Sequence, residues 1–241
     1  SHIDITKCRT VSQLWRFAGL DPTQEWLGKE GAAALIAELW RARAAFSEGI
    51  LQEAAEKSHR NIDNLRRQAA DSDTGEITRA SLTGALARRP WNAGLKTLCW
   101  KLGESFVKVQ NNPDDVYGQL YVRRKAEEAA ANERREFEDQ AEAKLARFKI
   151  GRETDAYKAY ADGRLPPAHI HARATRWTVK LFLSHYHFVA YEAYYKEAPR
   201  LPYVFDKLGH QHLIPIPNWP MAPKPASRKV SRSQSAAVAI V

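Results

Sequence analysis

The sequence predicts an all-α fold, and three observations carry that expectation. Apolar residues recur at helical rather than alternating spacing, as in Leu95, Leu98, Leu102, Phe106 and Val109. Long stretches are rich in Ala, Leu, Glu and Arg, which are strong helix formers. Proline-bearing turn signals, such as Asp21-Pro22-Thr23, Asn111-Asn112-Pro113-Asp114 and Pro166-Pro167, fall between these stretches. The 241 residues are 44% hydrophobic and 27% charged, enough to bury a core and far from a disordered composition. The expected architecture is an irregular helical domain with one long, charged, protruding helix and an extended Pro-rich C-terminal segment.

The elements follow in order. Val11, Leu14, Trp15 and Ala18 form a first helical stripe, stopped by Gly19 and the Asp21-Pro22-Thr23 turn. Residues 29–70 read as two helices broken near Ser47–Gly49, with Leu35, Ile36, Leu39 and Trp40 as an apolar stripe. Asp71–Gly75 is a loop, and 76–87 a short helix. Pro90 opens a strong helix, and Asn111-Asn112-Pro113-Asp114 ends it and caps the next. From Asp115 to Phe148 runs one charged pattern whose apolar content is mostly Ala, as in a solvated helix or one arm of a coiled coil. Pro166-Pro167 precedes a second strong helix, His169–Lys196. Proline is then frequent over 199–221, and 222–241 has the composition of a disordered basic tail. The expected divisions are 1–28, 29–88, 89–198 with its arm 115–148, 199–221, and 222–241.

The formal net charge is +9. Residues 222–241 hold Lys224, Arg228, Lys229 and Arg232 with no acid, which leaves +5 for residues 1–221. The body permits an acidic partner without requiring one. No run is long and apolar enough for a membrane span, and none reads as a secretory leader. Two cysteines, Cys8 and Cys99, are too few for a disulfide scaffold. The lone methionine is Met221, so the chain reads either as trimmed or as part of a longer frame.

Two constellations point to nucleic acid. Arg88, Arg89, Trp91 and Asn92 precede a helix whose exposed N–H groups and dipole favour a phosphate, and Lys96 and Lys101 continue along it. The competing reading is a capped core helix with Trp91 buried. The second is the stripe His169, Arg173, Arg176 and Lys180, at spacings that place all four on one face. Like charges so stacked need something acidic opposite: a nucleic-acid backbone, or the Glu-rich 127–142 segment of this same chain. Six of the eight histidines follow residue 168, as His169/His171, His185/His187 and His210/His212. Two of these pairs fall on a helical pattern, where i and i+2 diverge, which argues against zinc. Ser105 lacks the Gly-x-Ser-x-Gly context of a nucleophile elbow. No catalytic centre is complete in this chain.

Three blocks together resemble a known family. They are Ile3-Asp4-Ile5 through Trp15-Arg16-Phe17-Ala18-Gly19-Leu20-Asp21-Pro22, Arg89-Pro90-Trp91-Asn92-Ala93-Gly94-Leu95-Lys96 through Phe106, and His169 through His185. They resemble the C-terminal half of bacterial insertion-sequence transposases related to the Piv and MooV DNA invertases, in scattered blocks over residues 1–215. That resemblance implies a DEDD nuclease-like domain with divalent metal upstream, and no cofactor in this segment. It implies a homo-oligomer on DNA ends, with a guide RNA in some members, in the cytoplasm at the nucleoid. Ser1–Ile5 would be the tail of a helix-hairpin-helix, and 29–88 a helical insertion. Family members carry a nucleophilic Ser shortly after the Gly-Leu-x-Pro turn. This chain reads Thr23-Gln24-Glu25-Trp26-Leu27-Gly28-Lys29 there, so no catalytic residue carries over. The DNA-facing role does carry over, to the Arg88–Lys96 helix start and the 169–185 helix. A non-catalytic nucleic-acid-binding remnant and a helical protein–protein interaction module, joined through the 115–148 arm, remain the alternatives.

Overall fold

The computed structural model describes residues 3–22, 24–41, 45–200 and 214–220, in two units divided after Gln211. Among the described residues there are ten α-helices and no strand. They are α1 (Val11–Phe17), α2 (Gly28–Trp40), α3 (Glu48–Lys57), α4 (Ile62–Ala69), α5 (Arg79–Ala87), α6 (Ala93–Lys108), α7 (Val116–Glu133), α8 (Glu138–Arg147), α9 (Asp155–Ala161) and α10 (Pro167–Tyr195). In the second unit, the described stretch 214–220 carries a turn and no helix. The rest of the Pro-rich segment, 201–213 and Met221, lies outside the described residues, as does the tail 222–241.

Helices α2–α5 pack on one another around Ile36, Leu39, Ile50, Leu51, Leu65, Leu82 and Leu86. Small residues such as Ala32, Ala54, Ala69 and Ala85 are fully buried among them and let the helix axes approach closely. Residues 29–70 hold three helices rather than two. Ser58 Oγ turns back to the Ala54 carbonyl at 2.6 Å, His59 adopts a positive φ of 52°, and Asn61 caps α4 by accepting from Asn64 N–H at 3.0 Å. The break has a purpose in packing. It delivers the Arg60 guanidinium to the last carbonyls of α5, Ala85 at 2.8 Å and Leu86 at 3.0 Å, where a cation satisfies orphan acceptors.

The remaining core joins α1, α6, α7 and α10 around Leu14, Leu95, Cys99, Phe106, Val179 and Leu183. α6 begins at Ala93, not at Pro90, because Asn92 Oδ1 caps it by accepting from Leu95 N–H at 2.8 Å. Its buried face is Leu95, Cys99, Gly103 and Phe106, so Leu98 stands exposed. At Gly103 the helix crosses α10 so closely that a Cβ would lie 2.5 Å from Thr175 Cγ2. Asp115, one residue beyond the expected cap, starts α7 by accepting from Gly118 N–H at 2.6 Å.

The single protruding helix expected over 115–148 is corrected to two packed helices. α7 ends at Glu133, Arg135 takes a positive φ of 59°, and α8 begins at Glu138. α7 lies along α10 and buries Gly118, Leu120, Tyr121, Glu128, Ala131 and Asn132. Its alanines allow close packing rather than marking a solvated arm, so the coiled-coil reading loses its motive. Asn132 fastens this helix to the approach of α10, donating to and accepting from the Leu165 backbone at 2.9 and 2.8 Å. α9, unread in the sequence, is capped by Thr154 and packs on α8. Of the expected helix tail over 1–5, residues 1 and 2 lie outside the described residues, and Ile5 opens a 3-10 turn. Ile3 and Asp4 are non-helical, and Asp4 caps that short turn by accepting from Thr6 N–H.

Candidate nucleic-acid interface

The two sequence constellations meet, but only in part. α10 carries His169, Arg173, Arg176 and Lys180 in one line, and the first two are taken up inside the protein. Arg173 donates to Glu128 Oε2 at 2.6 Å and to Gln140 Oε1 at 2.7 Å, and sits 4.1 Å from the Phe137 ring centroid. Its acidic partner is therefore the 127–142 segment, and its expected DNA contact is corrected on that ground. His169 is half-buried and shares a hydrogen bond with the Tyr160 hydroxyl.

The other histidines on α10 follow the same logic. Tyr121 and His171 share a hydrogen bond at 2.7 Å, and Tyr117 and His185 one at 2.8 Å. His187 Nε2 donates to the Cys8 carbonyl at 2.8 Å. Among the described residues no group of three His, Cys, Asp or Glu side chains is placed to hold a metal. His210 and His212 lie outside the described residues. Burial pushes the Tyr117 phenol up to about 12 and holds His169 and His187 below the usual imidazole range, the latter against the opposing pull of its Cys8 hydrogen bond. A base with a lowered pKa binds its proton more readily in the unfolded chain. Stability is therefore complete above a pKa of about 6.5 and falls as pH drops through the folded values. Thermal melts from pH 8 down to pH 5, about 1.5 units either side of that value, should show a falling Tm. His187→Gln, which keeps a donor toward Cys8, should flatten the fall.

The second half of the stripe joins the start of α6. Lys180 Nζ lies 4.1 Å from the Trp15 ring centroid, while Trp15 Nε1 donates to the Lys180 carbonyl at 3.1 Å. Lys96 Nζ lies 3.9 Å from the Trp91 centroid, and the Arg89 guanidinium 5.0 Å from that of Trp26. Arg176 is exposed and shares the field of Lys96 and Lys180. Burial, then the positive charges of Arg176 and Arg89, hold the Lys96 ammonium below the usual lysine range. Lys180 is lowered by burial and Arg176, while the Asp21 carboxylate pulls the other way. The result is a cluster of cations whose long side chains rest on indole faces. Each ring contact is worth about 0.5–2 kcal/mol and orders the side chain before any ligand arrives.

Gly19 makes this geometry possible. It takes φ 68°, and a Cβ there would lie 2.8 Å from Trp91 Cγ and 3.0 Å from Lys96 Cδ. Asn92 N–H donates to the Phe17 carbonyl at 2.9 Å, so the end of α1 and the start of α6 are tied together. Asn92 thus serves as a cap and a tether. Arg88 is exposed beside the cluster and lines a groove with Trp26. Lys101 is exposed on α6, roughly 140° round the helix from Lys96 at 3.6 residues per turn, and does not join the cluster. Trp15 and Trp26 were not foreseen as site residues. A signal for Trp26 existed, since a tryptophan in a polar segment near an Arg pair is a candidate cation platform.

No helix among the described residues is long and apolar enough to cross a membrane. The chain matches no protein-family model, no curated protein and no solved structure.

Proposed function

We propose that the chain binds duplex DNA through Arg89, Lys96, Arg176 and Lys180, as the DNA-binding and recombination-core part of an insertion-sequence transposase. The observation that carries the binding reading is the convergence of four cations, from α6, α10 and the α5–α6 connection, on one surface, three of them backed by tryptophan. Mutual repulsion raises the energy of such a cluster in the free protein. A row of phosphates relieves it, and the counterions released from DNA add to the driving force. Electrostatic contact of this kind positions a duplex without reading its sequence. The resemblance of the three sequence blocks supplies the transposase part of the reading. Two of those blocks meet at Gly19, Trp91 and Lys96.

Binding of a labelled duplex at moderate salt tests the surface. Arg176→Ala should weaken it about tenfold, the size of one charge-assisted contact, and Lys101→Ala by less than about twofold. Equal effects of the two changes would contradict the assignment. Strand transfer is a separate test, made with the full reading frame, divalent metal and cognate DNA ends. Binding without transfer would favour the remnant, a reading motivated by the absence of Ser from Thr23–Lys29. Thr23 itself lies outside the described residues.

A further inference from the structure

We propose that the groove beside Trp26 holds an unpaired nucleotide of single-stranded DNA, giving the chain a second surface that distinguishes single strands from duplex. This rests on the nucleic-acid reading above and adds the form of strand that one face takes. The groove is open, with a volume of about 850 Å³, and is bounded by Trp26, Lys29, Arg79 and Arg88. None of its lining residues is acidic. Lys29, Arg79 and Arg88 form no ion pair among the described residues.

The chemistry fits a nucleotide part by part. Trp26 is 48% exposed, its Nε1–H is held by the Ala87 carbonyl at 2.8 Å and the Arg89 guanidinium lies 5.0 Å from its ring centroid, so the ring is fixed in orientation while still half open to contact. A fixed, exposed indole is a stacking surface for any base. The three cations round the groove answer the flanking phosphates. A paired base cannot reach such a ring without leaving its stack, which is why the groove selects single strands. The small residues of the lining favour a deoxyribose. Ala80 and Gly84 offer no side-chain polar group, and the Thr83 hydroxyl is already donated to the Arg79 carbonyl at 2.7 Å. A ribose 2′-hydroxyl would meet at most the acceptor side of the Thr83 oxygen there and gain little over water.

Gly84 supplies the cleanest test, because a Cβ at this position meets nothing within 4 Å. Gly84→Leu fills the groove from a helix that tolerates it, and Trp26→Leu removes the stacking face. Anisotropy titrations would use the whole chain with a short labelled oligo-dT, a short labelled duplex and an oligo-rU, with circular dichroism melts to verify folding. Both variants should weaken oligo-dT binding about tenfold, and Gly84→Leu, which leaves Trp26 and the Arg89 it backs in place, should change duplex binding by less than about twofold. Wild-type protein should bind oligo-rU more weakly than oligo-dT. Oligo-dT binding that is indifferent to both variants, with duplex binding intact, would overturn the groove assignment alone. Oligo-rU binding equal to oligo-dT would overturn the choice of DNA. Failure of the wild type to bind either DNA would overturn the nucleic-acid reading as a whole.

Discussion

Glu128→Ala should lower the unfolding free energy by about 3 kcal/mol, which at this chain length is a Tm loss of roughly 6–12 °C. Glu128 is only 3% exposed and pairs with Arg124 at 2.5 Å and Arg173 at 2.6 Å. Burial opposes its charge, yet the Arg173 hydrogen bond and the Arg124 charge outweigh that penalty and hold its carboxyl below the usual range. Removing the carboxylate leaves two guanidinium groups facing each other across the α7–α10 contact. The cost is set at the lower end of the range for broken buried pairs, because both arginines reach some solvent. Glu128→Gln should fall between wild type and alanine, since it keeps hydrogen bonding and loses charge. Denaturant titration measures both. The same carboxylate gives stability that is complete above a pKa of about 4.5 and is lost as pH falls through its lowered folded value. That loss on the acid side should be smaller in the alanine variant. A Glu128→Ala chain within about 1 kcal/mol of wild type would show the triad to be no more than a surface pair.

The second large effect falls on Gly19→Ala, which should cost about 2–4 kcal/mol and weaken DNA binding at the same time. A left-handed backbone costs a non-glycine residue about 1–2 kcal/mol. The new methyl must also displace the Trp91 ring, 2.8 Å away, and the Lys96 stem. Overpacking of this kind adds a comparable amount. The pairing of losses is the informative part. A change that acted on stability alone would leave the affinity of the folded fraction untouched. Here Trp91 is the platform of Lys96, so affinity measured well below the melting range should fall severalfold. A stable Gly19→Ala chain with full affinity would contradict the role given to Trp91.

The helices were legible where a local rule decides them. Periodicity and caps found α1, α6 and α10, and Gly19 ended α1 as a glycine with positive φ does. The break between α3 and α4 and the turn at Arg135 were not legible. Each depends on what a distant side chain meets: Arg60 on the α5 carbonyls, Glu128 and Asn132 on α10 and Leu165. The charged 115–148 segment looked solvated because a buried carboxylate and a solvated one are the same letter. Its alanines read as a weak core for the same reason. The candidate surface was half legible. Spacing put His169, Arg173, Arg176 and Lys180 on one line, but only packing could divide that line into an inner pair and an outer pair. Of the tryptophans behind the cations only Trp91 was legible; no local pattern ties Trp15 to Lys180 or Trp26 to Arg89 across the chain.

The central claim is that folded helices, and not the basic tail, form the nucleic-acid surface. The direct measurement is the salt dependence of duplex binding for the full chain, for a chain ending at Met221, and for that shorter chain with Arg176→Ala and Lys180→Ala. Each neutralised phosphate contributes about −0.9 to the slope of log K against log salt, so four contacts give about −3.6. The shorter chain should keep a slope near that value, and the double change should reduce it by about two contacts, to roughly −2. Binding that disappears with residues 222–241, or a slope that ignores Arg176 and Lys180, would contradict the account and assign the affinity to the tail.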